Sequence, residues 1–229
     1  MATSVIFQEQ VEIPFVRDLC GFRDWALSAR APEQGRIDYV IGHIEVDMSP
    51  EDFFTHGTVK TEIIIALGQI LKRIGTGYLV TDSTRVSCPT ADLSVEPDIV
   101  FISDRSLDSG QVRLIPKTEA QPDRYVEVEG PPDLIVEMVS DSSVTKDTQR
   151  LPAAYYQAGV PEFWLIDARG ETLIHEIFHR GQSAYEPVAS DDSGFKYSAI
   201  FDSRLQLTRQ RNAKGRWVFN LCERHDARG

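Results

Sequence analysis

The sequence predicts an α/β (or α+β) domain built on a mixed central sheet, with an additional β-meander. Three observations point there. Segments alternate in the order helix, strands, helix, strands, helix, strands. The run EPDIVFIS is short and nearly all apolar after Pro97, as a strand buried on both faces should be. The chain has 229 residues, of which 41% are hydrophobic, enough for a real core.

Each element has its own signal. Phe15, Leu19, Phe22, Ala26 and Ala29 fall at helical spacing, and Pro32 and Gly35 close that segment. IDYVIG and HIEVDM read as two short strands around Gly42. A long helix is expected from about Glu51 to Ile74, with Ser49 as N-cap before Pro50. Its stripe is Ile63, Ile64, Leu67, Ile70 and Leu71, and Gly75 and Gly77 stop it. YLVTDSTRVSC is rich in strand formers. Residues 103–123 are polar and read as a surface excursion. RYVEVEG and PDLIVEMVS are further strands. DSSVTKDTQRLPAAYYQAG is a loop entering a helix, which places Pro152 in or near the first turn. EFWLIDARGETLIHEIFHRGQSAYEPV reads as a meander turning at ARGE and RGQS. The stretch after about Asn212 carries little pattern, and no repeat or low-complexity linker is present.

The net charge of −11 argues against broad, non-specific nucleic-acid binding, which needs a basic face to neutralise phosphates. It leaves room for a local basic groove, and a carboxylate site built for a cation would itself add negative charge. Cys20, Cys88 and Cys222 are widely spaced and odd in number, so free thiols are expected rather than a zinc knuckle or a disulfide framework. No apolar run has membrane-spanning length, and the first residues lack the pattern of a signal peptide. A cytoplasmic location is the expectation.

Two carboxylates stand out. Asp98 heads the run IVFIS, and Glu137 lies inside DLIVEMVS. An ionised carboxylate on an apolar strand is costly unless it is paired, hydrogen-bonded or bound to a metal. Alternation puts Asp133, Ile135, Glu137 and Val139 on one face, and Leu134, Val136 and Met138 on the other. Two such strands side by side bring their carboxylates to one divalent ion, and oxygen ligands suit Mg²⁺ or Mn²⁺. The same residues also allow a purely structural reading, with Asp98 capping a turn and Glu137 paired to a buried Arg or Lys.

Residues 175–179, HEIFH, match the H-E-x-x-H pattern of zinc proteases. That chemistry needs His175 and His179 one helical turn apart, with Glu176 as general base. The segment is strand-length and lies between two turns. On a strand the two histidines are about 13 Å apart, at ~3.3 Å per residue, too far to share one zinc.

EPDIVFIS, PPDLIVEMVSDSSVTKD and YYQAGVPEFWLID, in this order, resemble the Uma-two family, described as endonucleases of the restriction-endonuclease-like, PD-(D/E)XK superfamily. GHIEVDMSP followed by His56 fits the family's N-terminal part, and the resemblance covers about residues 15–210 of one 229-residue domain. It implies a restriction-endonuclease-like fold and Mg²⁺- or Mn²⁺-dependent hydrolysis of nucleic acid, DNA foremost, leaving a 5′-phosphate. Asp98 matches the Pro-Asp carboxylate and Glu137 the second motif carboxylate, so these two are the implied metal ligands. A homodimer is implied by relatives that cut as pairs. The departure concerns the lysine. Val139 stands where the superfamily's lysine usually lies, and Leu151 where this family often has one. Lys146 is the preferred replacement, with Arg150 the alternative. A further acid is expected from Glu45 or Glu62, and His56 and Lys60 share the face of the helical stripe. The second functional reading is a nuclease fold that has lost catalysis and serves as a binding or regulatory module.

Overall fold

The computed structural model describes residues 13–32, 35–117 and 121–225. Helix α1 (Leu19–Ala26) is followed by strands β1 (Arg36–Val40) and β2 (His43–Asp47). A π-helical turn at Phe53–Thr58 leads into α2 (Val59–Ile74), and then come β3 (Gly77–Thr81), β4 (Arg85–Cys88), β5 (Leu93–Val95) and β6 (Ile99–Ser103). Next are α3 (Asp104–Asp108), β7 (Arg113–Pro116), β8 (Tyr125–Glu129) and β9 (Leu134–Met138). A second π-helical turn, Lys146–Arg150, opens α4 (Leu151–Ala158). The chain continues with β10 (Glu162–Asp167), β11 (Ile174–Arg180), β12 (Tyr185–Pro187), β13 (Lys196–Ser198), β14 (Ser203–Arg211) and β15 (Trp217–Arg224).

The strands form a sheet in the order β2-β1-β5-β4-β8-β7, a second in the order β12-β11-β10-β9-β6-β3, and a three-stranded sheet β13-β14-β15. The second sheet is mixed, as expected. β9 runs parallel to β10 and antiparallel to β6, with Ile99 opposite Val136. Its strands are apolar on both faces because both faces are covered. Ile99, Phe101, Leu134, Val136 and Met138 pack on α2 and on Leu205, Leu207, Phe219 and Leu221 of the small sheet. Val100, Ile102, Ile135 and Phe163 pack the other way, against the first sheet and α4. Each fully buried Leu, Ile or Phe in these layers contributes about 1.5–3 kcal/mol over leaving it exposed. Among the described residues no helix is long and apolar enough to cross a membrane, and all three cysteines are free.

Several boundaries differ from expectation for local reasons. α1 begins at Leu19, where Asp18 caps it by accepting from the Gly21 N–H; Phe15 lies outside the helix, 90% exposed, and Ala29 lies beyond its end. The long helix is capped by Asp52 rather than Ser49: the Asp52 carboxylate accepts from the N–H groups of Phe54 and Thr55. The stripe Val59, Ile63, Leu67 and Ile70 is buried, and Gly75, at φ 65°, closes the helix in a left-handed cap. The polar excursion contains α3 and β7, and the uninformative C-terminal stretch holds the second strand of the β14–β15 hairpin.

HEIFH lies on β11, as its strand length indicated, and its histidines serve the packing. Glu162 is buried on β10 directly opposite His179, whose Nε2 lies 3.2 Å from it. The same carboxylate accepts from Trp164 Nε1 at 2.7 Å, Ser198 Oγ at 2.6 Å and the Ala199 N–H at 2.8 Å, tying the small sheet to the large one. His175 accepts from the Leu207 N–H through Nδ1. Burial, with a lesser effect of Lys196, pushes the His175 pKa down to about 3. An unfolded histidine takes a proton near pH 6.5, while the folded one does not, so this group's stability is complete above that pH and lost as pH falls toward 3. Acidification from pH 7.5 to 5 is expected to cost about 2 kcal/mol through His175. Urea denaturation at both pH values tests this: the loss should shrink by that amount in His175→Gln, and an unchanged pH dependence would refute it.

Candidate functional site

Asp98 and Glu137 converge because of strand alternation. Asp98 precedes β6 and shares the face of Val100 and Ile102; Glu137 shares the face of Ile135 on the adjacent strand β9. Both side chains are buried, at 0% and 1% exposure. The Asp98 carboxylate is anchored through Oδ2, which accepts the Met138 N–H at 2.8 Å. Its Oδ1 faces Arg36 Nη2 at 2.9 Å, Lys60 Nζ at 3.3 Å and His56 Nε2 at 3.6 Å. Burial alone would raise the Asp98 pKa. The contact with His56 and the charges of Arg36, His56 and Lys60 overcome it and hold the group well below the usual carboxylate range.

Glu137 has the opposite electrostatics. Burial, and then the charges of Asp98 and Asp147, push its pKa well above the usual value. Tyr155 of α4 donates to its Oε1 at 2.5 Å, while Oε2 is buried without a partner. Asp147 is similar: burial raises it to about 6 despite a hydrogen bond from Ser143, and its Oδ1 is also unpartnered. Among the described residues these two buried carboxylate oxygens meet no donor, and such oxygens in a cluster of acids suit a cation.

Lys146 enters from the second π-helical turn. Its Nζ lies 3.0 Å from Asp38 Oδ2, and it feels the charges of Asp38, Glu137 and Asp147. Asp38 belongs to β1 and is itself held by the Glu96 N–H at 2.9 Å. Arg150 sits at the rim, half exposed and ion-paired with Glu45 at 2.9 Å. Val139 and Leu151, the two positions where a lysine was sought, are buried at 1% each. Val139 extends the pairing of its strand by donating to the Ile166 carbonyl, and Leu151 fills the second core.

The expected further acids fare differently. Glu62 turns away from the site and accepts the Leu221 N–H at 3.0 Å, and Glu45 stays with Arg150. Glu51 reaches the centre instead. Among the described residues, Glu51, His56 and Asp98 form a group whose ligand atoms lie within 4.8 Å of one another, an arrangement able to hold a metal ion. Glu51 Oε2 is 3.1 Å from His56 Nδ1, and Lys60 Nζ is 2.9 Å from Glu51 and 2.8 Å from Asp82. His56 and Lys60 do face the sheet, at 4% exposure each. Sequence reasoning missed Arg36, Asp38, Glu51, Asp147 and Tyr155. Asp38 carried a usable signal: it is an acid between apolar neighbours on a short strand, the criterion that had singled out Glu137.

Two cavities of about 350 Å³ each open beside these groups and share Asp47, Met48, Ser49, Ser142 and Ser143. One is lined by Arg36, Glu51 and His56, the other by Lys146 and Arg150. The two cavities adjoin between the β2 end and the loop after β9 and are lined by Arg36, His56 and Lys146, while Asp98 and Glu137 lie buried beneath them.

The family named Uma2, described as "Putative restriction endonuclease", matches residues 21–209. The chain belongs to this family. Its fold is that of a solved protein from Anabaena variabilis, described as a "putative nuclease belonging to DUF820". The two are 18% identical, with a TM-score of 0.55 over 81% of this chain and 91% of the other. No curated protein matches the chain. The Uma2 match covers every residue placed at the site above, and the mixed sheet carrying Asp98 and Glu137 lies within it.

Proposed function

We propose that this Uma2 protein is a divalent-cation-dependent endonuclease that hydrolyses phosphodiester bonds of nucleic acid, DNA foremost, acting as a cytoplasmic homodimer. The observation that carries the reading is the buried Asp98–Glu137 pair on adjacent strands, with Glu137 Oε2 meeting no donor among the described residues. Asp98 and Glu137 would hold Mg²⁺ or Mn²⁺. Such an ion supplies Lewis-acid polarisation of the phosphate and an activated water at neutral pH.

The chain's own groups do the rest. The Met138 N–H fixes the Asp98 carboxylate, and Tyr155 fixes Glu137. Burial and the charges of Asp98 and Asp147 raise the Glu137 pKa, and a cation held there would favour the ionised carboxylate. Lys146 sets a positive charge beside Glu137, where negative charge develops on the phosphate in the transition state. The test is cleavage of plasmid and single-stranded DNA with Mg²⁺ or Mn²⁺. Glu137→Gln should lose at least about 100-fold in rate. Cleavage surviving both Glu137→Gln and Asp98→Asn removes this site from the reaction.

The saturation of Asp98 by Arg36, Lys60 and His56 favours a second reading, a nuclease fold retained as a binding module. Calorimetry separates the two. Absence of Mn²⁺ binding at millimolar concentration selects the module.

A further inference from the structure

Four cationic side chains surround the acids, and they are not equivalent. Lys60 is held by Glu51 and Asp82 at 2.9 and 2.8 Å, both closer than its 3.3 Å contact with Asp98. Lys146 is held by Asp38 at 3.0 Å. His56 lies between Glu51 and Asp98. Arg36 pairs, among the described residues, with Asp98 alone, through one Nη2 contact at 2.9 Å. Its exposure also differs: the Arg36 side chain is 22% exposed, against 5% for Lys60, 5% for His56 and 7% for Lys146. It lines the cavity beside Glu51, His56 and Ser140.

The oxygen that Arg36 contacts matters. Asp98 Oδ2 accepts the Met138 N–H, so the oxygen for which a cation would have to compete is Oδ1, and Arg36 makes the shortest of its three contacts. A guanidinium carries five N–H donors in a planar fork that fits two phosphate oxygens at once, and among the described residues one of Arg36's donors is engaged. The ammonium groups of Lys60, held by Glu51, Asp82 and Asp98, and of Lys146, held by Asp38, have no such fork.

We propose that Arg36 forms an anion subsite for the substrate's phosphodiester and competes with divalent cations for Asp98 Oδ1. Without a cation, Arg36 neutralises Asp98. With one bound there, the guanidinium is released to the phosphate at the cavity wall. This rests on the nuclease reading above and adds the residue that binds the reacting phosphate.

The experiment measures two affinities in wild type and Arg36→Ala: Mn²⁺ alone by calorimetry, and the dinucleotide TpT by NMR titration in saturating Mg²⁺. A charge-assisted hydrogen bond to a carboxylate is worth enough to predict Mn²⁺ binding tighter by about tenfold in Arg36→Ala, and TpT binding weaker by a similar factor. Arg36→Lys keeps the charge without the fork, so it should leave Mn²⁺ affinity near wild type and still weaken TpT. Mn²⁺ affinity unchanged or lower in Arg36→Ala, or TpT affinity unchanged in both variants, overturns the proposal. Should Arg36→Ala fail to fold, Arg36→Gln gives the same two readings. A wild-type protein that binds Mn²⁺ and TpT yet cleaves no DNA refutes the nuclease reading while leaving both affinity tests of Arg36 intact.

Discussion

Asp98→Asn is expected to lower folding stability by about 3–5 kcal/mol and DNA cleavage by at least about 100-fold. The stability loss follows from what stays behind. Arg36, Lys60 and His56 all face Asp98, and its carboxylate is fully buried. Asparagine has nearly the same shape and still accepts from the Met138 N–H, so packing is preserved and only the charge is lost. The Arg36 and Lys60 cations are then left with less compensation in a low-dielectric site, the situation in which breaking a buried ion pair is most costly. The sign also fixes a pH dependence. The folded pKa of Asp98 lies below its unfolded value, so its contribution is complete above about pH 4 and is lost as pH falls further. Urea denaturation at pH 7.5 reads the first effect. A loss under 1 kcal/mol would show that the cations relax into solvent and that Asp98 is no electrostatic hub.

The carboxylate pair was readable from sequence because the cost of an acid on an apolar strand is local: Asp98 and Glu137 each announce themselves within a few residues. Strands β6, β9 and β10 and the stripe of α2 were readable for the same reason. Arg36 was not, since its meaning depends on a contact 62 residues away in the chain. Nor was Tyr155, whose hydroxyl meets Glu137 only once α4 is packed on the sheet. Neither acid weighed for a third ligand meets Asp98: Glu62 accepts the Leu221 N–H of β15 and Glu45 pairs with Arg150, while Glu51, just before the turn at 53–58, reaches His56. Spacing alone could not separate Lys146 from Arg150. Lys146 and Arg150 are one turn apart, yet only Lys146 is buried, because Asp38 arrives from a distant strand to receive it.

Lys146→Met should therefore show two separable losses. Its ammonium and Asp38 are buried together, at 7% and 2% side-chain exposure. Removing the cation leaves a buried carboxylate and is expected to cost about 3–5 kcal/mol in stability. Cleavage should fall by about 100- to 1,000-fold, since the charge beside Glu137 disappears. The double variant Asp38→Asn with Lys146→Met distinguishes the roles. Neutralising Asp38 removes the unpaired charge, so stability should recover by about 1–3 kcal/mol relative to the single variant. Cleavage should stay low, because nothing replaces the cation that faces Glu137. If cleavage recovers along with stability, Lys146 acts only as the partner of Asp38, and the positive charge near the phosphate must come from elsewhere in the cleft. If neither recovers, the 3.0 Å pair carries no coupling, and the low exposure of Lys146 reflects its apolar stem rather than its charge.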